Sequence, residues 1–372
     1  MSIETSEDRI PVTLLTGFLG AGKTTLLNHL IRDPGAGRIA VIVNELGDVG
    51  VDHDLIEEET EETILLQSGC LCCSIRGDLL KTLGRLVARR NRGALAFDRV
   101  VIETTGIADP GPILRSLVVD RIVAPHFRMD GVVTVADTAT GMATLDTQFE
   151  AVHQIALADL IVLSKTDLVS SAELSRFETR VAGINETAQR VRAAHGRVES
   201  GLLFGLSAMR PDTTSDDLSL WLGADNEKAH EHDHAHDHAH DHGAHDHHDH
   251  RIVSASIELA EPIPAQTFDF WLDTLIALRG ADVLRMKGIV HLEGTDCPFV
   301  FHGVQHIFDA PVPLTSWSGG NTTSRVVVIA RDMTRADLEA NLECLDMRPK
   351  QPATQAEPQV EGMMAETAES TV

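Results

Sequence analysis

The sequence predicts an α/β fold of the doubly wound kind, with a mostly parallel sheet, followed by a smaller C-terminal α+β domain. Three observations predict it. Short β-branched runs alternate with longer helical patterns from Pro11 to about Trp221, a glycine-rich turn joins the first run to the first helix, and composition changes abruptly near residue 230. The runs are "VTLLTG", "IAVIVNE", "RVVIETTG", "GVVTVAD" and "LIVLSKTD". Each ends in a polar or glycine-rich turn, as buried parallel strands do, so ligand sites are expected at the carboxyl ends of the strands.

Residues 230–250 hold eleven histidines and almost nothing apolar, too little burial to offset chain entropy, which predicts a disordered linker over 229–250. Beyond it come "RIVSASIELA", a helix from Pro264 to Leu278 with Phe268, Trp271, Leu272, Leu275 and Leu278 on one face, then "DVLRMKGIVHL", "PFVFHGVQHIF" and "SRVVVIARDM". Strands with a packed helix and no βα alternation predict the α+β domain over 251–348. The expected division is completed by a disordered amino terminus (1–10), a nucleotide-binding domain (11–228) and a polar, disordered tail (349–372).

A chain of 372 residues that is 43% hydrophobic can fill two cores. Its net charge of −25 argues against nucleic acid or an anionic membrane as the main partner, because there is no basic excess to release counterions. No run approaches the roughly 20 apolar residues that span a bilayer, and no charged-then-apolar signal opens the chain, so the reading is cytoplasmic. Three of the five cysteines are clustered, which points to metal or redox chemistry rather than a disulfide framework.

"GFLGAGKTT", Gly17 to Thr25, is G-x-x-x-x-G-K-[ST], the phosphate loop of P-loop NTPases, correctly set between a strand and a helix. Backbone N–H groups at Gly17, Gly20, Ala21 and Gly22 face phosphates in such a loop, Lys23 reaches the β and γ oxygens, Thr24 offers its hydroxyl to Mg2+, and Thr25 follows it into the helix. In "VVIETTG" a carboxylate ends a buried strand: Glu103 is placed to hold the Mg2+ shell or orient the attacking water, and Gly106 to move with the γ-phosphate. Lys23, Glu103 and Gly106 are thus the candidate catalytic residues. "VNELGDVGVDHDLI" adds Glu45, Asp48, Asp52, His53 and Asp54, oxygen ligands and one imidazole suited to Mg2+ or a transition metal.

"LIVLSKTDL" resembles the N-K-x-D loop that reads guanine, with Lys165 along the base and Asp167 accepting from its N–H edge; Ser164 stands where asparagine is expected and has less reach. "GLSAM", with Ser207, is read either as a further backbone contact to the base or as a plain turn.

Together "GFLGAGKTTLLN", "NELGDVGVD", "GCLCC", "ETTGIADP" and "SKTDL", followed by a histidine-rich linker and a domain carrying "RMKGIVHL" and "FHGVQHIF", closely resemble the CobW-type GTPases, from residue 11 to about 346. The resemblance implies a metallochaperone that couples GTP binding and hydrolysis to delivery of zinc, cobalt or another transition metal. It implies GTP, Mg2+ and Zn2+ or Co2+ as ligands and a metal-requiring client as partner, and it admits a homodimer.

Thiolates at Cys70, Cys72 and Cys73 would select a soft or borderline ion and leave one tetrahedral position open, for Glu45, His53, water or a thiolate of the recipient. The histidine run, including His232, His234, His236, His238, His240 and His242, is read as a loading arm with weaker and less selective sites. Cys297 is expected in the core and Cys344 in a helical tail; His291, His302 and His306 are read as packed or surface histidines. Two alternatives stay open at this point, a cobalt chaperone for cobalamin synthesis or a cobalt enzyme, and a passive histidine-rich metal buffer or sensor. An ATP-using kinase is opposed by Asp167.

Overall fold

A computed structural model describes residues 9–44, 63–67, 75–208, 213–223, 252–305, 307–308, 311–314 and 323–348. The first half builds a sheet from β1 (Ile10–Thr16), β2 (Ile39–Asn44), β3 (Thr63–Gln67), β4 (Arg99–Thr104), β5 (Phe127–Asp137), β6 (Leu160–Ser164) and β7 (Gln189–Arg192). Their spatial order is β3-β2-β4-β1-β5-β6-β7. Every neighbouring pair is parallel, so the expected mostly parallel sheet is parallel throughout. Parallel strands need crossovers, and these are the helices α1 (Lys23–Ile31), α2 (Ile75–Asn91), α3 (Gly111–Val119), α4 (Gly141–Thr147), α5 (Phe149–Ala156) and α6 (Ser171–Ile184). Helix α6 starts on a capping box, in which Ser170 and Glu173 satisfy each other's backbone N–H groups. The central strands are buried on both faces: Val12, Leu14 and Ile102 join one apolar cluster, while Leu15, Val41 and Val101 join the other.

A short helix, α7 (Ser215–Leu222), leads toward the second half. There β8 (Ile252–Leu259), α8 (Ala265–Arg279), β9 (Val283–Val290), β10 (Phe299–Val304), β11 (Ile307–Phe308), β12 (Val312–Pro313), β13 (Ser324–Arg331) and α9 (Arg335–Glu343) form an antiparallel sheet with two helices. The order is β11-β10-β9-β13-β8, with β12 beside β10. Phe268, Trp271 and Leu275 of α8 are buried as the sequence predicts, but Leu278 is 75% exposed. By the helical period it lies only about 20° round from the buried Trp271, so its exposure goes with its place in the last turn, one residue before the helix ends at Arg279. Cys297, expected in the core, is only half-buried, and Cys344 ends α9 with its thiol on the Ala340 carbonyl.

One face of this second sheet lies under α8 and α9, with Met286 and Val290 of β9 turned toward them. Its other face meets the nucleotide half. Ile252, Leu284, Val304 and Ile329 belong to the apolar cluster built on β1 and β4, and Ile289, Val300 and Leu314 pack with Leu218, Trp221 and Leu222 of α7. Between these apolar contacts sits a buried ionic group. Arg285 bonds the Leu157 carbonyl and the Asp159 carboxylate, and Lys287 lies 3.0 Å from Asp159 and donates to the Trp221 carbonyl at 3.1 Å. Burial alone would raise the Asp159 pKa, but Arg285 and Lys287 hold it well below the usual carboxylate range. Burial, with Arg285 alongside and against the pull of Asp159, pushes the Lys287 ammonium down to about 8. His291 and His302 are buried, as packed histidines are expected to be; His306 lies outside the described residues.

Candidate nucleotide site

The loop from Gly17 to Gly22 turns back over the end of β1, and its glycines are demanded by geometry. Gly17 has φ of 142°, and a Cβ there would lie 2.3 Å from the Val135 carbonyl oxygen of β5. Gly20 and Gly22 also take positive φ, 73° and 103°, and Gly22 caps α1, so the helix opens with its N–H groups toward the loop. Ala21 closes the turn, donating to the Phe18 carbonyl at 3.1 Å. Lys23, buried at the start of α1, folds its ammonium over the loop and donates to the carbonyls of Gly17 at 3.0 Å and Phe18 at 3.3 Å.

Thr24 donates to Glu103 Oε1 at 3.0 Å, and this carboxylate is 5% exposed at the end of β4. Beside it Thr104 donates to Thr16 across the β4–β1 pair at 2.9 Å. A hydroxyl and a buried carboxylate this close are a hard-oxygen pair, the donor chemistry Mg2+ prefers, so these residues fit the ion. Gly106 presses on the phosphate loop: a Cβ there would stand 2.6 Å from the Leu19 backbone nitrogen. The loop that starts at Glu103 and the loop that ends at Lys23 are therefore in van der Waals contact through a residue that has no room for a side chain.

Two strands away lies the loop after β6, which carries the N-K-x-D resemblance. Lys165 adopts a left-handed φ of 56° and donates to Asp137 at 2.8 Å. Burial opposes ionisation of Asp137, yet hydrogen bonds from Lys165, Thr140 and the Ala139 N–H keep its carboxyl below the usual range. Asp167 faces His195 at 3.8 Å, and Thr166 donates to the Ala193 carbonyl at 3.2 Å. Ser164, the departure from asparagine, donates to the Ala21 carbonyl at 2.6 Å and to Ala136 at 3.3 Å. Thr25 meets Gly196, whose Cβ would lie 2.8 Å from the threonine methyl.

Ser207 is a correction. The chain near it is tied to the opposite end of the sheet: Gly205 N–H donates to Asp130 at 2.9 Å, and Leu206 packs on Gly131. From residue 131 to Asp137 the strand runs roughly 20 Å at about 3.3 Å per residue, so Ser207 does not share the end that carries Lys165 and Asp167. The segment beside Asp167 is Ala193 to Gly196, directly after β7. Sequence reasoning missed it, together with Asp137; the signal available was a pair of residues suited to positive φ, His195 and Gly196, after a short strand.

Cys70, Cys72, Cys73, Glu45 and His53 lie outside the described residues, as do His232, His234, His236, His238, His240 and His242. Among the described residues no group of three or more His, Cys, Asp or Glu could hold a metal. The strands that flank the cysteine and acidic segments are described. Gln67, the last residue of β3, pairs with Val43, which pairs with Glu103, which pairs with Leu15. One row of the sheet therefore runs from the residue before the "SGCLCCS" segment to the acid beside Thr24. Among the described residues no helix is long and apolar enough to cross a membrane.

Residues 11–192 match the CobW/HypB/UreG nucleotide-binding domain, and residues 252–345 match the cobalamin synthesis protein cobW C-terminal domain. The chain belongs to the CobW family. It is 32% identical over 333 residues to the zinc chaperone YjiA of Escherichia coli (strain K12), covering 89% of this chain and 97% of that one. It is 31% identical over 376 residues to the zinc chaperone CobW of a Sinorhizobium species, covering 91% and 98%. The crystal structure of Zn(II)-bound YjiA GTPase from E. coli superposes with a TM-score of 0.66 at 27% identity, covering 91% of this chain and 99% of that one. With the phosphate loop on this fold, the CobW-family chain is a GTPase.

Proposed function

We propose that this GTPase is a metallochaperone that holds a transition metal, zinc, as cargo at Cys70, Cys72 and Cys73 and passes it to a client protein in a step governed by GTP. The observation that carries the reading is the strand row from Gln67 through Val43 to Glu103. At about 4.8 Å between neighbouring strands, the residue before the thiol segment stands roughly 10 Å from the acid beside Thr24. That the relatives are named zinc chaperones supports zinc as the cargo.

In this reading Lys23 and the N–H groups of Gly17 to Gly22 bind the phosphates, and Asp167 accepts from guanine while Lys165 packs along the base. Thr24 and Glu103 would hold Mg2+, which when bound draws off charge from the β and γ oxygens. Gly106, against Leu19, lets the backbone after Glu103 approach the γ-phosphate and withdraw after hydrolysis. Glu45 or His53 completes the cargo site, and the histidines of 229–250 form a loading arm between the domains at 11–228 and 251–348.

Nucleotide and metal are then reciprocal ligands, because one coupling energy acts on both affinities. Competition titration of Zn2+ against a chromogenic chelator, with the protein bound to a non-hydrolysable GTP analogue or to GDP, is expected to give affinities that differ about tenfold or more. Equal affinities in the two states would refute the coupling, and an unchanged affinity in C70S/C73S would refute the thiol site.

A further inference from the structure

Gln154 carries no role in the reading so far, yet it is the side chain that grips the loop after Glu103. It sits on α5, 1% exposed, and its Nε2 donates to the Gly106 carbonyl at 3.1 Å and to the Ala108 carbonyl at 3.1 Å. A carboxamide nitrogen presents two N–H donors from one neutral atom, and both are used here. The orientation is fixed by its surroundings, since exchanging nitrogen and oxygen would aim an acceptor at two carbonyl oxygens. Oε1 has no hydrogen-bond partner among the described residues. Such a buried acceptor gives up its bond to water without replacement, a cost an apolar residue would avoid. The backbone behind the grip is itself held, because Thr134 on β5 donates to the Gln154 carbonyl at 2.8 Å.

The loop is thus clamped from two sides. Leu19 of the phosphate loop abuts Gly106, and the Gln154 amide holds the carbonyls of Gly106 and Ala108. We infer that Gln154 is a positioning residue for GTP hydrolysis: its two N–H bonds set where the Gly106 loop stands against the phosphate loop. It acts through Gly106 and does not touch the nucleotide. The inference rests on the reading of the Gly106 loop as the segment that answers to the γ-phosphate. Displacements of about 1 Å in such a segment can change rates about a hundredfold.

The test uses the full chain and steady-state GTP hydrolysis, with GDP affinity and Tm measured alongside. Q154M keeps the length and removes both donors; V152A removes buried methyl groups from the same helix and leaves both donors in place. Q154M is expected to lower kcat at least about tenfold with GDP affinity within about threefold, while V152A keeps kcat within about twofold. Q154E supplies a second readout that folding defects would not produce. Burial against two carbonyls raises the pKa of the new carboxyl, and its protonated form restores one donor. The Q154E deficit relative to wild type should therefore shrink at least about threefold between about pH 8 and about pH 6. A Q154M kcat equal to that of V152A, or a Q154E deficit independent of pH, overturns the inference. If G106A itself hydrolyses GTP normally, the reading of the loop has failed instead.

Discussion

The Ser164 hydroxyl donates to the Ala21 carbonyl across 2.6 Å and so ties the end of β6 to the phosphate loop. Where the N-K-x-D pattern would have asparagine, the shorter side chain makes this tie from a position only 6% exposed. S164A leaves the Ala21 carbonyl without that donor and is expected to cost about 1 kcal/mol of stability. GTP and GDP affinities should fall together, by about fivefold, because the phosphate loop serves both. Titration with fluorescent nucleotides checks this. D167A is expected to behave differently, lowering GTP preference over ATP by at least about a hundredfold.

Gly106→Ala places a methyl 2.6 Å from the Leu19 backbone nitrogen, which no side-chain rotation relieves. The loop must move away from the phosphate loop. GTP hydrolysis is expected to drop about a hundredfold while GDP binding stays within about threefold, read by single-turnover assay and nucleotide titration.

Asp159 is the carboxylate that faces both Arg285 and Lys287 in a site where all three are buried. Asp159→Asn leaves two buried cations without their counter-charge and should destabilise the chain by about 3–5 kcal/mol in urea denaturation. Replacing the group together, as D159L/R285M/K287M, is expected to cost much less. Equal losses for the two variants would show that the cations are not the source of the effect.

His153 stands on α5 with its Nδ1 3.5 Å from Asp109 and its ring stacked on Phe149. Burial lowers its pKa, helped by Arg331 and opposed by Asp109 and Glu150. As pH falls through about 6.5, the unfolded chain takes up a proton at this position that the folded chain resists. Its contribution to stability is therefore full above that range and declines below it. Wild type is expected to lose more Tm than H153Q between about pH 7.5 and about pH 5.5, measured by differential scanning calorimetry.

Much of the nucleotide site is legible in the sequence because its parts are local. Gly17 to Thr25 and Glu103 to Gly106 each lie on one turn, and an apolar strand before each fixes which end of the sheet it occupies. What stayed hidden depends on pairings far apart in the chain. The loop at His195 sits beside Asp167 because β7, "QRVR", adds to the sheet edge, and that strand has Val191 as its single apolar residue. Without it, Ser207 was the visible candidate. Arg285 and Lys287 within "DVLRMKGIVHL" look like solvated charges until Asp159, 126 residues away for Arg285, is brought against them. Gln154 has no motif around it, and its use appears only when α5 is laid beside the Gly106 loop.

The shared face between the two halves also bears on how the molecule melts and how it can be cut. Ile252, Leu284, Val304 and Ile329 complete a cluster whose other members sit on the parallel sheet and its helices, and Asp159 finds its cations on β9. Neither half has a finished surface of its own: the amino-terminal piece would display the unpaired Asp159 carboxylate, the carboxyl-terminal piece two bare cations. Such halves unfold together, so a single calorimetric transition is the natural behaviour of the intact chain, and severing it at the histidine-rich stretch should leave two fragments that stay associated rather than two independent proteins.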